Sequence, residues 1–101
     1  MNWQDDHERR IASFPADIRE AHHHSAKQRL EIKASTTCGC FYCCSIFEPA
    51  KIEDWVDENE SGVGQTALCP SCGIDSVLGD KSDISIDPEF LKKMKHYWFG
   101  E

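Results

Sequence analysis

The chain has little positive charge, no long apolar run and no low-complexity stretch. Eleven lysines and arginines stand against 18 aspartates and glutamates, a formal net charge of −7. Binding to phosphate backbones depends on Lys and Arg neutralising the phosphates, so nucleic acid is not an expected partner. Arg9, Arg10, Arg19, Lys27, Arg29 and Lys33 do crowd the first third, while residues 48–60 are acidic. Those cations read as solvated helix faces rather than a nucleic-acid stripe. No apolar run approaches the length of a membrane span, and Met1-Asn2-Trp3-Gln4-Asp5-Asp6 passes straight into charge without the apolar region of an export signal. Membrane association and secretion are therefore not expected, and the chain reads as cytoplasmic. With no internal repeat or linker, 101 residues suffice for a single domain, 1–101, whose core is small enough to profit from a staple.

Cysteine, by contrast, is plentiful. Six in a short secreted chain would suggest disulfides, but in a reducing compartment thiols stay free and bind metals. Four of them form two pairs, Cys40-Phe41-Tyr42-Cys43 and Cys69-Pro70-Ser71-Cys72, with 25 residues between the pairs. Each Cys-x-x-Cys turn brings two sulfurs to one ion, and two such turns complete a tetrahedron. A closed tetrahedron leaves no position for water, which points to a structural ion. Zinc is the expected cofactor, because it suits four thiolates and is the usual structural ion, with iron as the alternative. Cys38 offers a wider spacing and competes with Cys40 as ligand. Cys44 reads as a small apolar side chain pointing into packing.

Helix formers without further Pro or Gly predict one long helix from Phe14-Pro15 to about Ala34, with Ile18, Ala21, Ala26, Leu30 and Ile32 facing inward. Residues 40–47 read as a knuckle leading into a short strand. Pro49 with Ile52, Trp55 and Val56 at helical spacing predicts a short helix. Residues 57–64 read as a loop, and 65–68 as a brief strand that delivers Cys69. Pro70, followed by Ile74, Val77 and Leu78 and stopped by Gly79, predicts a helix opened by the second cysteine pair. Asp87-Pro88 starts a last helix whose stripe of Phe90, Leu91, Met94, Tyr97 and Trp98 is expected in the core. The expected fold class is α+β: a small zinc-stapled domain with its metal frame at 38–79 and a short β-hairpin packed by N- and C-terminal helices.

A knuckle, a hairpin and a helix opened by the second pair resemble the treble clef, and residues 40–79 resemble the metal frame of HNH-type endonucleases. That resemblance implies a catalytic His, but the corresponding stretch here is Ile52-Glu53-Asp54-Trp55 and Trp cannot take a proton. Cys69-Pro70-Ser71-Cys72-Gly73 is similar to the iron site of rubredoxins, which implies one-electron transfer. There a Gly also follows the first pair, where this chain has Cys44. Residues 22–99, with CGCFYC, TALCP-x-CGIDSV and a terminal WF, resemble a group of uncharacterised small bacterial cytoplasmic proteins, a likeness that implies fold and location but no activity.

His22-His23-His24 is the remaining unusual feature. Consecutive helical residues point about 100° apart, so the three cannot hold one ion together. His22 shares the side of Ile18 and is expected in packing. His23 and His24, with Arg29, Thr66, Asp75 and Ser76, are the expected ligand-binding surface, on the condition that either histidine comes within water-bridged reach of Asp75, Ser76 or Thr66. The expected function is noncatalytic recognition of a protein partner or a small polar ligand. The alternatives are a hydrolase using His23 or His24 with Asp75, a divergent HNH-like nuclease, and electron transfer.

Overall fold

The computed structural model describes residues 9–100. Helix α1 spans Ala16–His23 and α2 spans Arg29–Ala34. Five short strands follow: β1 Cys38–Cys40, β2 Ile46–Phe47, β3 Trp55–Glu58, β4 Gly64–Ala67 and β5 Val77–Gly79. The last element is α3, Pro88–Phe99. The architecture is α+β, as expected. One antiparallel sheet has the order β2-β1-β5, and β3 and β4 form a separate hairpin.

Strand periodicity explains how a three-residue strand can serve two cores. Successive side chains point to opposite faces of a sheet. Leu78 therefore joins Phe14, Ile18, Ala21, Phe41, Leu91 and Met94, while its neighbour Val77 joins Ile32, Cys38, Cys40, Ile52, Ala67 and Cys69. Gly39, between Cys38 and Cys40 on β1, faces the first core at such close range that a Cβ there would come within 2.8 Å of Ile86 and 2.9 Å of Leu91. The first core is covered by α1 and α3. The second lies on the side of α2, the hairpin and the four-cysteine cluster.

The single long helix expected from Phe14 to Ala34 is broken. Lys27 has a positive φ of 53°, and its N–H donates to Thr66 Oγ1 at 2.8 Å instead of continuing a helix. Gln28 is buried beside it: its Nε2 donates to the Val77 carbonyl at 3.0 Å, and its Oε1 accepts from Ala67 N–H at 3.4 Å. One amide thereby ties β5 to β4, and propensity yields to tertiary hydrogen bonding. The break also resets the helical phase. Ile32 points inward as expected, but Leu30 is 84 % exposed.

Two further helices expected from spacing are not formed. After Pro49 there is one 3-10 turn, Pro49–Lys51, and Trp55 opens strand β3. Aromatic and β-branched residues such as Trp55 and Val56 suit a strand when a partner is at hand, and β4 is that partner in the register Trp55↔Ala67 and Val56↔Thr66. After Pro70 the chain makes a turn that ends at Gly73, φ 79°, and continues into β5. There is accordingly no helix at the second cysteine pair of the kind a treble clef requires.

The C-terminal helix forms as its signals predict. Asp87 Oδ1 accepts from Phe90 N–H at 2.8 Å, Pro88 occupies the first turn, and Gly100 with φ 74° terminates the helix. Leu91 and Met94 are buried. Phe14 packs on Tyr97 and Trp98 with ring centroids 5.0 Å apart in each case, and Trp98 Nε1 donates to the Ile18 carbonyl at 3.3 Å, joining α3 to α1.

Candidate metal centre

The two cysteine turns are built alike. In the first, Tyr42 N–H points at Cys40 Sγ at 3.4 Å, Cys44 N–H donates to the Cys40 carbonyl at 2.8 Å, and Cys40 N–H donates to the Ser45 carbonyl at 3.0 Å. In the second, Ser71 N–H points at Cys69 Sγ at 3.4 Å, Gly73 N–H donates to the Cys69 carbonyl at 2.9 Å, and Cys69 N–H donates to the Ile74 carbonyl at 2.9 Å. Each turn thus carries the same three bonds at the same offsets. A further bond, Phe41 N–H to the Ser76 carbonyl at 3.0 Å, fixes the first turn against the chain leaving the second.

This arrangement gathers the sulfurs of Cys40, Cys43, Cys69 and Cys72 within 4.8 Å of one another. Cys40 Sγ lies 3.7 Å from Cys72 Sγ, and Cys43 Sγ lies 3.6 Å from Cys69 Sγ. Four sulfurs bound at about 2.3 Å around one tetrahedral ion would stand about 3.8 Å apart. The cluster can therefore hold a metal ion with little rearrangement.

The thiols differ in their surroundings. Burial holds the Cys40 thiol well above its ordinary range, against the opposing effect of the backbone donors in its turn. Burial also works on Cys43, but hydrogen bonding, led by Ser45, outweighs it and draws that thiol down to about 7; Cys43 Sγ and Ser45 Oγ are 3.2 Å apart. The donors that lower a thiol's pKa are those that stabilise a bound thiolate.

The other two cysteines stand apart from the cluster. Cys38 is fully buried on β1, and burial, with Asp80 adding to it, pushes its thiol up to about 12. Cys44 is half-buried against the first core, as its expected packing role requires, and holds a positive φ of 63°. Sequence reasoning missed that conformation, although the matching position after the second pair is Gly73.

The six residues expected to form one ligand surface are divided among several places, with Asp75 and Ser76 lining a different cavity from the one that His23 and His24 border. His24 Nδ1 pairs with the Glu31 carboxylate at 3.0 Å, and His23 and His24 border a cavity with Gln28, Glu31 and Gln65. Thr66 is buried, accepting from Lys27 N–H and donating to Asp57 Oδ2 at 2.7 Å. Arg29 donates to the Gly64 carbonyl at 2.8 Å, with its guanidinium 4.8 Å from the centre of the Trp55 ring. Asp75 and Ser76 line a different cavity, and the histidine they share it with is His22. The physical reason is the break at residues 24–28, which turns His23 and His24 toward α2.

His22 itself stacks on Trp98, with centroids 3.9 Å apart and 29° between the planes. Its pKa is lowered, chiefly by burial and then by neighbouring His23, with Asp75 acting in the opposite direction. The expected packing role of His22 agrees with that contact. What sequence reasoning missed was its partners, since Trp98 and Asp75 come from the far end of the chain and from the second cysteine turn. Among the described residues no helix is long and apolar enough to cross a membrane. No protein-family model, curated protein or solved structure matches this chain, so the likeness to known proteins is limited to a four-cysteine cluster of the kind that binds zinc.

Proposed function

We propose that this chain is a small cytoplasmic zinc-stapled module whose role is noncatalytic recognition of a protein partner or a small polar ligand. Cys40, Cys43, Cys69 and Cys72 hold one structural zinc. The observation that carries this reading is the pair of matched cysteine turns, whose sulfurs lie 3.6 and 3.7 Å apart across the cluster, close to a tetrahedral edge. Four protein ligands close the coordination sphere and leave no place for a substrate, which favours a structural ion over a catalytic one. Zinc is the d10 ion that a four-thiolate site in a small domain most often holds. Metal analysis of protein purified without added metal tests the reading: about one equivalent of zinc is expected. Less than half an equivalent of any metal, or sulfurs paired as disulfides, contradicts it.

A second reading, one-electron transfer at an iron–thiolate site, draws on the same four sulfurs. The N–H groups of Tyr42 and Ser71, each 3.4 Å from a sulfur, would serve an iron site as well as a zinc one, since such bonds also tune a redox metal. Iron in place of zinc in the same analysis, with a visible absorption that bleaches on reduction, selects it.

A further inference from the structure

His22, Phe41, Trp98 and Phe99 come together from α1, the first cysteine turn and α3 around one cavity of about 270 Å³. Their rings are mutually packed: His22 lies 3.9 Å from Trp98 and 6.0 Å from Phe41, and Phe41 lies 5.8 Å from Phe99. Three of the donors beside these rings are already engaged. Ser25 Oγ donates to the His22 carbonyl at 2.7 Å, Trp98 Nε1 to the Ile18 carbonyl, and Phe41 N–H to the Ser76 carbonyl. The one charged group in the lining is a carboxylate, which disfavours an anion there.

The remaining charged group is Asp75. It is exposed, lines the same cavity, and makes no hydrogen bond or ion pair among the described residues. Its charge is felt by His22, but burial keeps that imidazole below the ordinary histidine range, so near neutral pH it does not neutralise Asp75. Aromatic faces attract cations through their quadrupoles, and more strongly when the cation is partly desolvated. A carboxylate at the rim adds a direct charge pair. The fold uses the same chemistry elsewhere, with Arg29 over Trp55 and Lys95 over Tyr42.

We infer that this cavity binds an alkylammonium group, its charge against Asp75 and its methyl or methylene groups against Phe41, Trp98 and Phe99. The size agrees: the cavity falls just short of the ~300 Å³ at which pockets begin to take drug-sized ligands, and suits a quaternary ammonium or the end of a lysine side chain. The inference rests on the proposed recognition role and names its ligand chemistry. It does not depend on which metal occupies the cysteine cluster.

The test is a titration of the metal-loaded protein, followed through the Trp98 indole N–H resonance, with three probes: choline, its uncharged isostere 3,3-dimethyl-1-butanol, and a peptide carrying trimethyllysine. Choline is expected to shift that resonance with a dissociation constant in roughly the millimolar range, and Asp75→Asn to weaken binding about tenfold at unchanged metal content. The isostere is expected to leave the resonance in place. A peptide that binds more tightly than choline assigns the ammonium to a protein side chain, and equal binding assigns it to a free amine. The inference is overturned if choline produces no shift while one equivalent of metal is bound, if the isostere binds as well as choline, or if Asp75→Asn leaves binding unchanged. Loss of metal with choline binding intact would instead count against the zinc module alone.

Discussion

Cys44 and Gly73 occupy equivalent places in the two cysteine turns, each following the second cysteine of its pair, and both hold a left-handed backbone, with φ of 63° and 79°. An L-residue pays roughly 1 kcal/mol or more for that region, whereas glycine does not. Gly73 has open space where a Cβ would project, so Gly73→Ala should cost that backbone term and little else, about 1 kcal/mol. Cys44→Gly gains the same term and gives up the thiol's packing against the first core, for a net change within about 1 kcal/mol of zero. Denaturant unfolding with the metal retained checks both values. A Cys44 substitution as damaging as loss of Cys43 would mean that the ligand set is misassigned.

Cys38 lies two residues from Cys40 on β1, yet belongs to the buried sheet and not to the cluster. Cys38→Ala is therefore expected to keep the metal and to lose about 1 kcal/mol of packing, whereas Cys40→Ala should lose the metal. With its thiol pushed up to about 12, Cys38 should also resist alkylation at pH 8 in the folded protein. Mass spectrometry of alkylated, digested protein reads the outcome directly. Rapid modification of Cys38 in folded protein would contradict its placement.

His22 carries a pH dependence with a definite sign. Burial lowers its folded-state pKa below the ordinary value of 6.5, so the neutral ring is the form that suits the folded state. Its contribution to stability is then complete above the unfolded pKa and is lost as pH falls below it. The His22 ring proton should titrate below 6.5 by NMR, and Asp75→Asn should move that midpoint lower still, because Asp75 now opposes the shift. A midpoint at or above 6.5 would show that the stacking on Trp98 does not bury the ring as described.

Gln28 is the side chain that joins β4 to β5. Truncation to Ala leaves the Val77 carbonyl and the Ala67 N–H without partners in a buried setting, and about 2–3 kcal/mol of stability should be lost. Gln28→Glu keeps the shape but replaces the donor to Val77 with an acceptor, and should recover little of the loss. Hydrogen exchange at Ala67 distinguishes this from a general loosening, since that amide should lose protection first.

These cases show where the fold was legible from residue order and where it was not. The cysteine pairs, the strand that delivers Cys69 and the capped helix from Pro88 depend on local signals, namely ligand spacing, turn residues and a long 3.6-residue stripe, and local signals survive folding. The region of Ile74, Val77 and Leu78 does not, because a short apolar run fits one face of a helix and also a doubly buried strand. Pairing of Val77 with Cys40 and Leu78 with Gly39 decides it, and that pairing is nonlocal. The break at Lys27 was hidden for a similar reason. The Lys27 N–H is taken there by the hydroxyl of Thr66, 39 residues further along the chain. Beyond the break, His23 and His24 border one cavity and Asp75 lines another, while His22 stacks on Trp98.

Whether Cys40, Cys43, Cys69 and Cys72 together bind one ion is read by X-ray absorption at the edge of the bound metal in protein purified without added metal. Zinc with four sulfur neighbours at about 2.3 Å, and no nitrogen or oxygen bound to it, is the expected result. A shell containing imidazole or water, or fewer than four sulfurs, would contradict it.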